Sequence, residues 1–200
     1  ARRIREGKRA YAEEALILSL HGIENEILYE ENMMSPWLYK NIITLSLRLR
    51  EEAWVENFIL QYTPRLPMKF QDNALHFNLA SLYFIQKNYD KSLYHLNQTQ
   101  FTDISYNLSA KEMLMEIYYE IEEEEPLLSL IASFSLFLKR NKDISRPIKL
   151  TYLNFCTILN KIMRRNPKKI ELIRAEIKNA KYLTGRKWLL EILNKWEKSL

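Results

Sequence analysis

Two hundred residues, 47% hydrophobic and 28% charged, suffice to bury a substantial core, and the usage is that of an ordinary globular chain. Three glycines stand where average usage would give about fourteen, and tight hairpins, bulges and phosphate-cradling loops all draw on that residue, so folds rich in them are excluded. A single cysteine, Cys156, rules out an intramolecular disulfide framework and a multi-cysteine zinc site, and no stretch reaches the ~18 apolar residues of a membrane span.

Helical periodicity runs through almost the whole chain, and six prolines at 36, 64, 67, 126, 147 and 167 punctuate it. Arg2 to about Leu20 is a first helix, with His21-Gly22 as its stop; residues 23–34 are expected to be an irregular or partly helical connector. Ser35-Pro36 opens a helix carrying Trp37, Ile42, Ile43, Leu45, Leu47 and Leu49, followed by a second with Trp54, Val55, Phe58, Ile59 and Tyr62. Asp72 is expected to cap a helix through Leu75, Leu79, Leu82 and Ile85. Lys87-Asn88 then makes the turn, and Tyr89 begins its partner. A third pair spans Ser105–Ile121 and Leu127–Leu138. A fourth runs from Ser145 to Arg164 and from Pro167 to Ala180. Thr184 is expected to cap a closing helix with Trp188, Leu189, Ile192, Leu193 and Trp196 on one side. Cys156, in the run Tyr152-Leu153-Asn154-Phe155, is expected to be a small buried side chain.

Trp54, Tyr89 and Glu124, at the starts of successive second helices, lie 35 residues apart. Between Asn78 and Leu96, Ala80 and Tyr83 precede the Lys87-Asn88 turn, and Tyr89, Ser92 and Leu96 follow it. This pattern resembles the tetratricopeptide repeat, in which small residues let two antiparallel helices approach. The stretch Leu114–Ile131 keeps Tyr118 and the spacing but has Met115 and Leu127 at the small positions. The resemblance implies an all-α fold, a right-handed superhelix of stacked hairpins over 35–62, 72–100, 105–138 and 145–180, capped by 184–200. On this reading residues 1–200 form one repeat domain, or the C-terminal part of a longer array, since the first residue is Ala1 rather than methionine. The family implies a non-catalytic scaffold that binds a peptide or helix in a concave groove.

Charge is segregated. Residues 1–100 carry 12 basic and 12 acidic side chains, residues 101–137 carry 1 and 8, and residues 138–200 carry 17 and 5. The acidic run Glu122–Glu125 falls on a turn. The basic end includes Arg164, Arg165, Lys168, Lys169, Arg174, Arg186 and Lys187 and suits an acidic partner, with a nucleic-acid-associated protein as the alternative function. Its possible stacking aromatics are few, Tyr182 and Trp188. Asn41, Asn78 and Asn154, with Lys40 and Lys111, are the candidate partner-binding residues: an amide pairs with both groups of an extended backbone, and a lysine meets a terminal carboxylate. This set resembles the carboxylate clamp of chaperone-binding tetratricopeptide domains.

His21, His76 and His95 are far apart in sequence, though His76 and His95 would approach across one hairpin, without an evident third ligand. Carboxylates are expected on exposed turns rather than in apolar pockets. With no nucleophile elbow, phosphate loop or dinucleotide fingerprint, no catalytic, cofactor or metal residues are expected, and the chain reads as a cytoplasmic, non-enzymatic protein.

Overall fold

A computed structural model describes residues 9–25, 27–30, 32–49, 52–99 and 104–200. Within them the chain is all-helical: ten α-helices carry the fold, and a ladder of two residues per strand is its one extended element. The chain divides into two compact units, Ala1–Thr102 and Asp103–Leu200, each with its own apolar core.

In the first unit, α1 (Arg9–Glu24) packs against α2 (Pro36–Leu49). The expected stop at Gly22 is not used. α1 continues to Glu24, and Gly22 is buried under the Leu28 side chain. The connector is more ordered than the sequence implied: β1 (Tyr29–Glu30) pairs antiparallel with β2 (Met33–Met34), turning at Asn32 with φ 63°. A 3-10 turn (Glu52–Trp54) leads into α3 (Val55–Tyr62), and a second (Thr63–Arg65) ends it. α4 (Met68–Ile85) packs on both α2 and α3 and forms a close hairpin with α5 (Tyr89–Gln98). Asp72 therefore lies inside α4 and not at its cap; Pro67 fixes the chain just before the first turn, five residues earlier than the sequence suggested. Tyr39 is wholly buried, and its hydroxyl donates to Thr63 Oγ1 at 2.7 Å, because Thr63 itself donates to the Ile59 carbonyl. Rings of Tyr39, Trp54 and Tyr62 surround Phe58 at centroid separations of 4.6–5.8 Å. At the α4–α5 seam two small residues meet: Ser92 Oγ donates to the Ala80 carbonyl at 2.9 Å, and both residues are fully buried.

The second unit comprises α6 (Ile104–Glu120), α7 (Glu124–Arg140), α8 (Arg146–Met163), α9 (Ile170–Asn179) and α10 (Arg186–Glu197). Each packs on its successor, and α8 also meets α10. Met115 and Leu127, bulky where Ala80 and Ser92 are small, are both wholly buried. Cys156 is buried beside them in the same core, with its thiol pushed up to about 11 by burial. Thr184 is not the cap of α10. That place belongs to Gly185, which has φ 59° and whose missing Cβ would stand 2.7 Å from the Phe155 ring. The closing helix buries Leu189, Ile192, Leu193 and Trp196 on one side, as its spacing implies.

The turns explain how the chain manages with so little glycine. Lys87 (φ 59°), Glu122 (φ 62°) and Arg165 (φ 46°) take the left-handed conformation that ends a helix. At Lys87 the amides of Asn88 and Lys87 donate to the carbonyls of Tyr83 and Phe84, at 2.8 and 3.0 Å. At Glu122, 35 residues on, the amides of Glu123 and Glu122 donate to Tyr118 and Tyr119, at 2.9 and 3.2 Å.

Candidate functional site

Lys40, Asn41 and Asn78 belong to the first unit. Lys40 and Asn41 are partly exposed on α2, and the Lys40 ammonium lies 5.7 Å from the Phe77 ring centre of α4, on the α2–α4 seam. Asn78 is 2% exposed and donates to the Ala74 carbonyl at 2.7 Å, so its amide serves its own helix and is not presented to a ligand. In the second unit, Lys111 is partly exposed on α6. Asn154 donates to the Tyr182 carbonyl at 2.7 Å, tying the α9–α10 connection to α8 beside an open cleft of about 300 Å³ that also involves Thr157, Lys161 and Glu176. Asn154 thus has a structural partner that its spacing did not reveal.

The seven basic residues separate in the same way. Arg174 pairs with Glu171 at 3.1 Å and Glu197 at 2.6 Å, and Arg186 donates to the carbonyls of Ile177, Lys178 and Ala180 at the end of α9. Both hold α9 to α10. Lys187 is exposed, 3.7 Å from Glu191. Arg164, Arg165, Lys168 and Lys169 are exposed together on the α8–α9 turn. The fold brings this basic turn to the acidic one: Glu122, Glu124 and Arg165 line one cleft of about 350 Å³, floored by Leu127 and Met163 and walled by Tyr118 and Tyr119. Two blocks that are segregated in sequence are partly neutralised in space.

The expectation that carboxylates sit on exposed turns fails on α6. Glu112, Glu116 and Glu120 follow each other at one-turn spacing, and all three turn inward towards the start and middle of α10. Thr184 Oγ1 donates to Glu112 at 2.6 Å; Trp188 Nε1 donates to Glu120 at 2.9 Å, and the Lys195 ammonium is 3.7 Å from the same carboxylate. Glu116 lies between them, 9% exposed, with Glu112, Glu120 and Glu191 as its charged neighbours. Burial, and then repulsion from those three, raises its carboxyl from the ordinary 4.5 to about 8. Burial raises Glu112 to about 7, against the opposing effect of the Thr184 hydrogen bond. At neutral pH Glu116 is therefore mostly protonated and Glu112 divided between its two forms. The available signal was the helix itself: α6 carries apolar residues nearly all round, burying Leu108, Ala110, Leu114, Met115 and Ile117, and such a helix cannot point every carboxylate at water.

The two histidines do meet. His76 and His95 Nδ1 are 2.9 Å apart, one ring donating and the other accepting, and His76 Nε2 is 3.7 Å from Asp72. Tyr83 stacks on His95 and donates to Glu56 at 2.8 Å. Burial first, and the charge of His76 second, lower the basicity of His95. Among the described residues no three His, Cys, Asp or Glu side chains converge as a metal site. No family model, curated protein or solved structure matches the chain.

Proposed function

We propose that the chain is a non-catalytic interaction module of tetratricopeptide type, a right-handed superhelix of stacked hairpins with a C-terminal capping helix, serving as a cytoplasmic scaffold for a partner peptide or helix. The observation that carries this reading is the recurrence of one turn 35 residues apart, with the same left-handed residue and the same pair of backbone hydrogen bonds at Lys87 and Glu122. The side-by-side packing of α2 and α4, the first helices of successive hairpins, supports it further. On this reading the partner lies along the α2–α4 seam, where Lys40 offers a cation over an aromatic ring and Asn41 an amide. A displayed random-peptide library tests the proposal: the wild-type chain should enrich a defined peptide class, and Lys40→Glu should lose it by at least tenfold. No enrichment, or enrichment indifferent to Lys40→Glu and Asn41→Ala, would sink the groove reading.

The nucleic-acid alternative draws on the exposed turn of Arg164, Arg165, Lys168 and Lys169. It predicts binding to an oligonucleotide that falls steeply between roughly 50 and 200 mM salt, whereas peptide capture should change little. It is the weaker reading, because Arg174 and Arg186 are engaged within the protein, and Trp188 is packed against Tyr119 and Phe155.

A further inference from the structure

The end of the second unit opposite the Arg164–Lys169 turn carries a different kind of surface. Antiparallel packing brings the last turn of α7 and the first turn of α8 to this end, while the segment that follows α9 meets the middle of α8 at Asn154. Four cations there are exposed, Lys139, Arg140, Lys142 and Arg146, and two more, Lys178 and Lys181, are exposed where α9 ends on the side of α8. Across residues 138–149 and 177–187 the sole acidic residue is Asp143. None of the six takes part in an ion pair among the described residues, whereas Lys161, Arg174, Lys187 and Lys195 each have a carboxylate partner.

Helix dipoles account for Lys139, Arg140 and Lys178, which sit where a cation is favoured. They do not account for Arg146 and Lys149. These lie in the first turn of α8, which has no acidic residue, so both face the positive end of the helix dipole without compensation. Two aliphatic side chains stand exposed among these charges, Ile148 at 44% in the first turn of α8 and Leu136 at 46% near the end of α7. The rings nearest these charges, Phe137, Tyr152 and Tyr182, are each half-buried rather than exposed, and the Lys181 ammonium lies 5.4 Å from the Tyr182 ring centre.

We propose that this end is a docking face for the surface of an anionic lipid membrane. Cations ringing protruding aliphatic side chains fit such a surface: the headgroups take the charges, and Ile148 and Leu136 enter the boundary above the acyl chains. A single-stranded nucleic acid would instead call for exposed aromatics on which bases stack. Attachment is peripheral, since no helix among the described residues is long and apolar enough to cross a membrane.

The test is sedimentation of the full chain with phosphatidylcholine vesicles, with and without about one third phosphatidylserine, at low and near-physiological salt. Binding is expected only with phosphatidylserine and should weaken as salt rises. Lys142→Glu/Arg146→Glu/Lys149→Glu should lose about 100-fold or more. Ile148→Asn should lose several-fold with an unchanged salt dependence. Lys168→Glu/Lys169→Glu, at the opposite end, should bind like the wild type, and circular dichroism checks that every variant stays folded. Three results would overturn the proposal: no sedimentation with phosphatidylserine at low salt, wild-type binding by the triple variant, or indifference to Ile148→Asn combined with full competition by a single-stranded oligonucleotide. The last would assign the face to nucleic acid.

Discussion

Replacing Glu116 by glutamine removes the charge that the α6–α10 seam resists and keeps the side chain's shape. In the folded chain its carboxyl is raised from 4.5 to about 8, so between those values the folded state holds a proton that the unfolded chain has released. Stability linked to Glu116 is therefore fully present below pH 4.5, falls as pH rises, and levels off above about pH 8. At about 1.4 kcal/mol per pH unit the loss across that window has an upper bound of about 5 kcal/mol. The partial exposure of Glu120 and the Lys195 ammonium beside it reduce it to about 2–3 kcal/mol. Glu116→Gln should thus be within about 1 kcal/mol of the wild type at pH 5 and more stable by about 2–3 kcal/mol at pH 9. Because the chain has two units, the readout should be local: hydrogen exchange of α6 and α10 at pH 5, 7 and 9, with exchange rates corrected for their intrinsic pH dependence. The wild type should lose protection in both helices as pH rises, and the variant should not. Equal pH dependence in the two proteins would refute the reasoning.

Further consequences concern other elements. Glycine at Lys87, Glu122 or Arg165 relieves a left-handed conformation that costs L-residues roughly 1 kcal/mol, so each substitution should raise the thermal midpoint by a few degrees. Gly185→Ala should act in the opposite sense, costing roughly 2 kcal/mol or more in a denaturant titration, since its Cβ meets the Phe155 ring at a left-handed φ. The lowered basicity of His95 means that the unfolded chain takes up its proton first, so stability in the α4–α5 hairpin is present above about pH 6.5 and is lost as pH falls below it. Exchange protection of residues 68–98 at pH 7.5 and 5.5 checks this, and His95→Gln should flatten the difference. Ser92→Leu should cost about 1–3 kcal/mol by forcing α5 away from the Ala80 carbonyl, as a thermal melt would detect.

What the sequence by itself determined is local and periodic. Apolar residues at helical spacing, prolines between the runs and the Ala80–Tyr83–Tyr89–Ser92 pattern specify helices, their order and one close hairpin, because these depend on neighbours within a few turns. Boundaries were less legible: Asp72 looked like a cap until Pro67 proved to start the helix, and Thr184 looked like one until its hydroxyl was found on Glu112, 72 residues away. The fate of polar side chains was decided by tertiary structure alone. Asn78 and Asn154 read as groove residues, but each amide meets a carbonyl inside the protein. Arg174 and Arg186 read as a surface patch and instead fasten α9 to α10. Glu112, Glu116 and Glu120 read as solvated because glutamate prefers water, yet the α10 end of the unit covers them, and only that packing raises the carboxyls of Glu112 and Glu116 towards neutral pH. A charge's identity is written in the chain. Its solvation depends on which helix lies across it, and that is fixed by contacts between residues far apart in sequence.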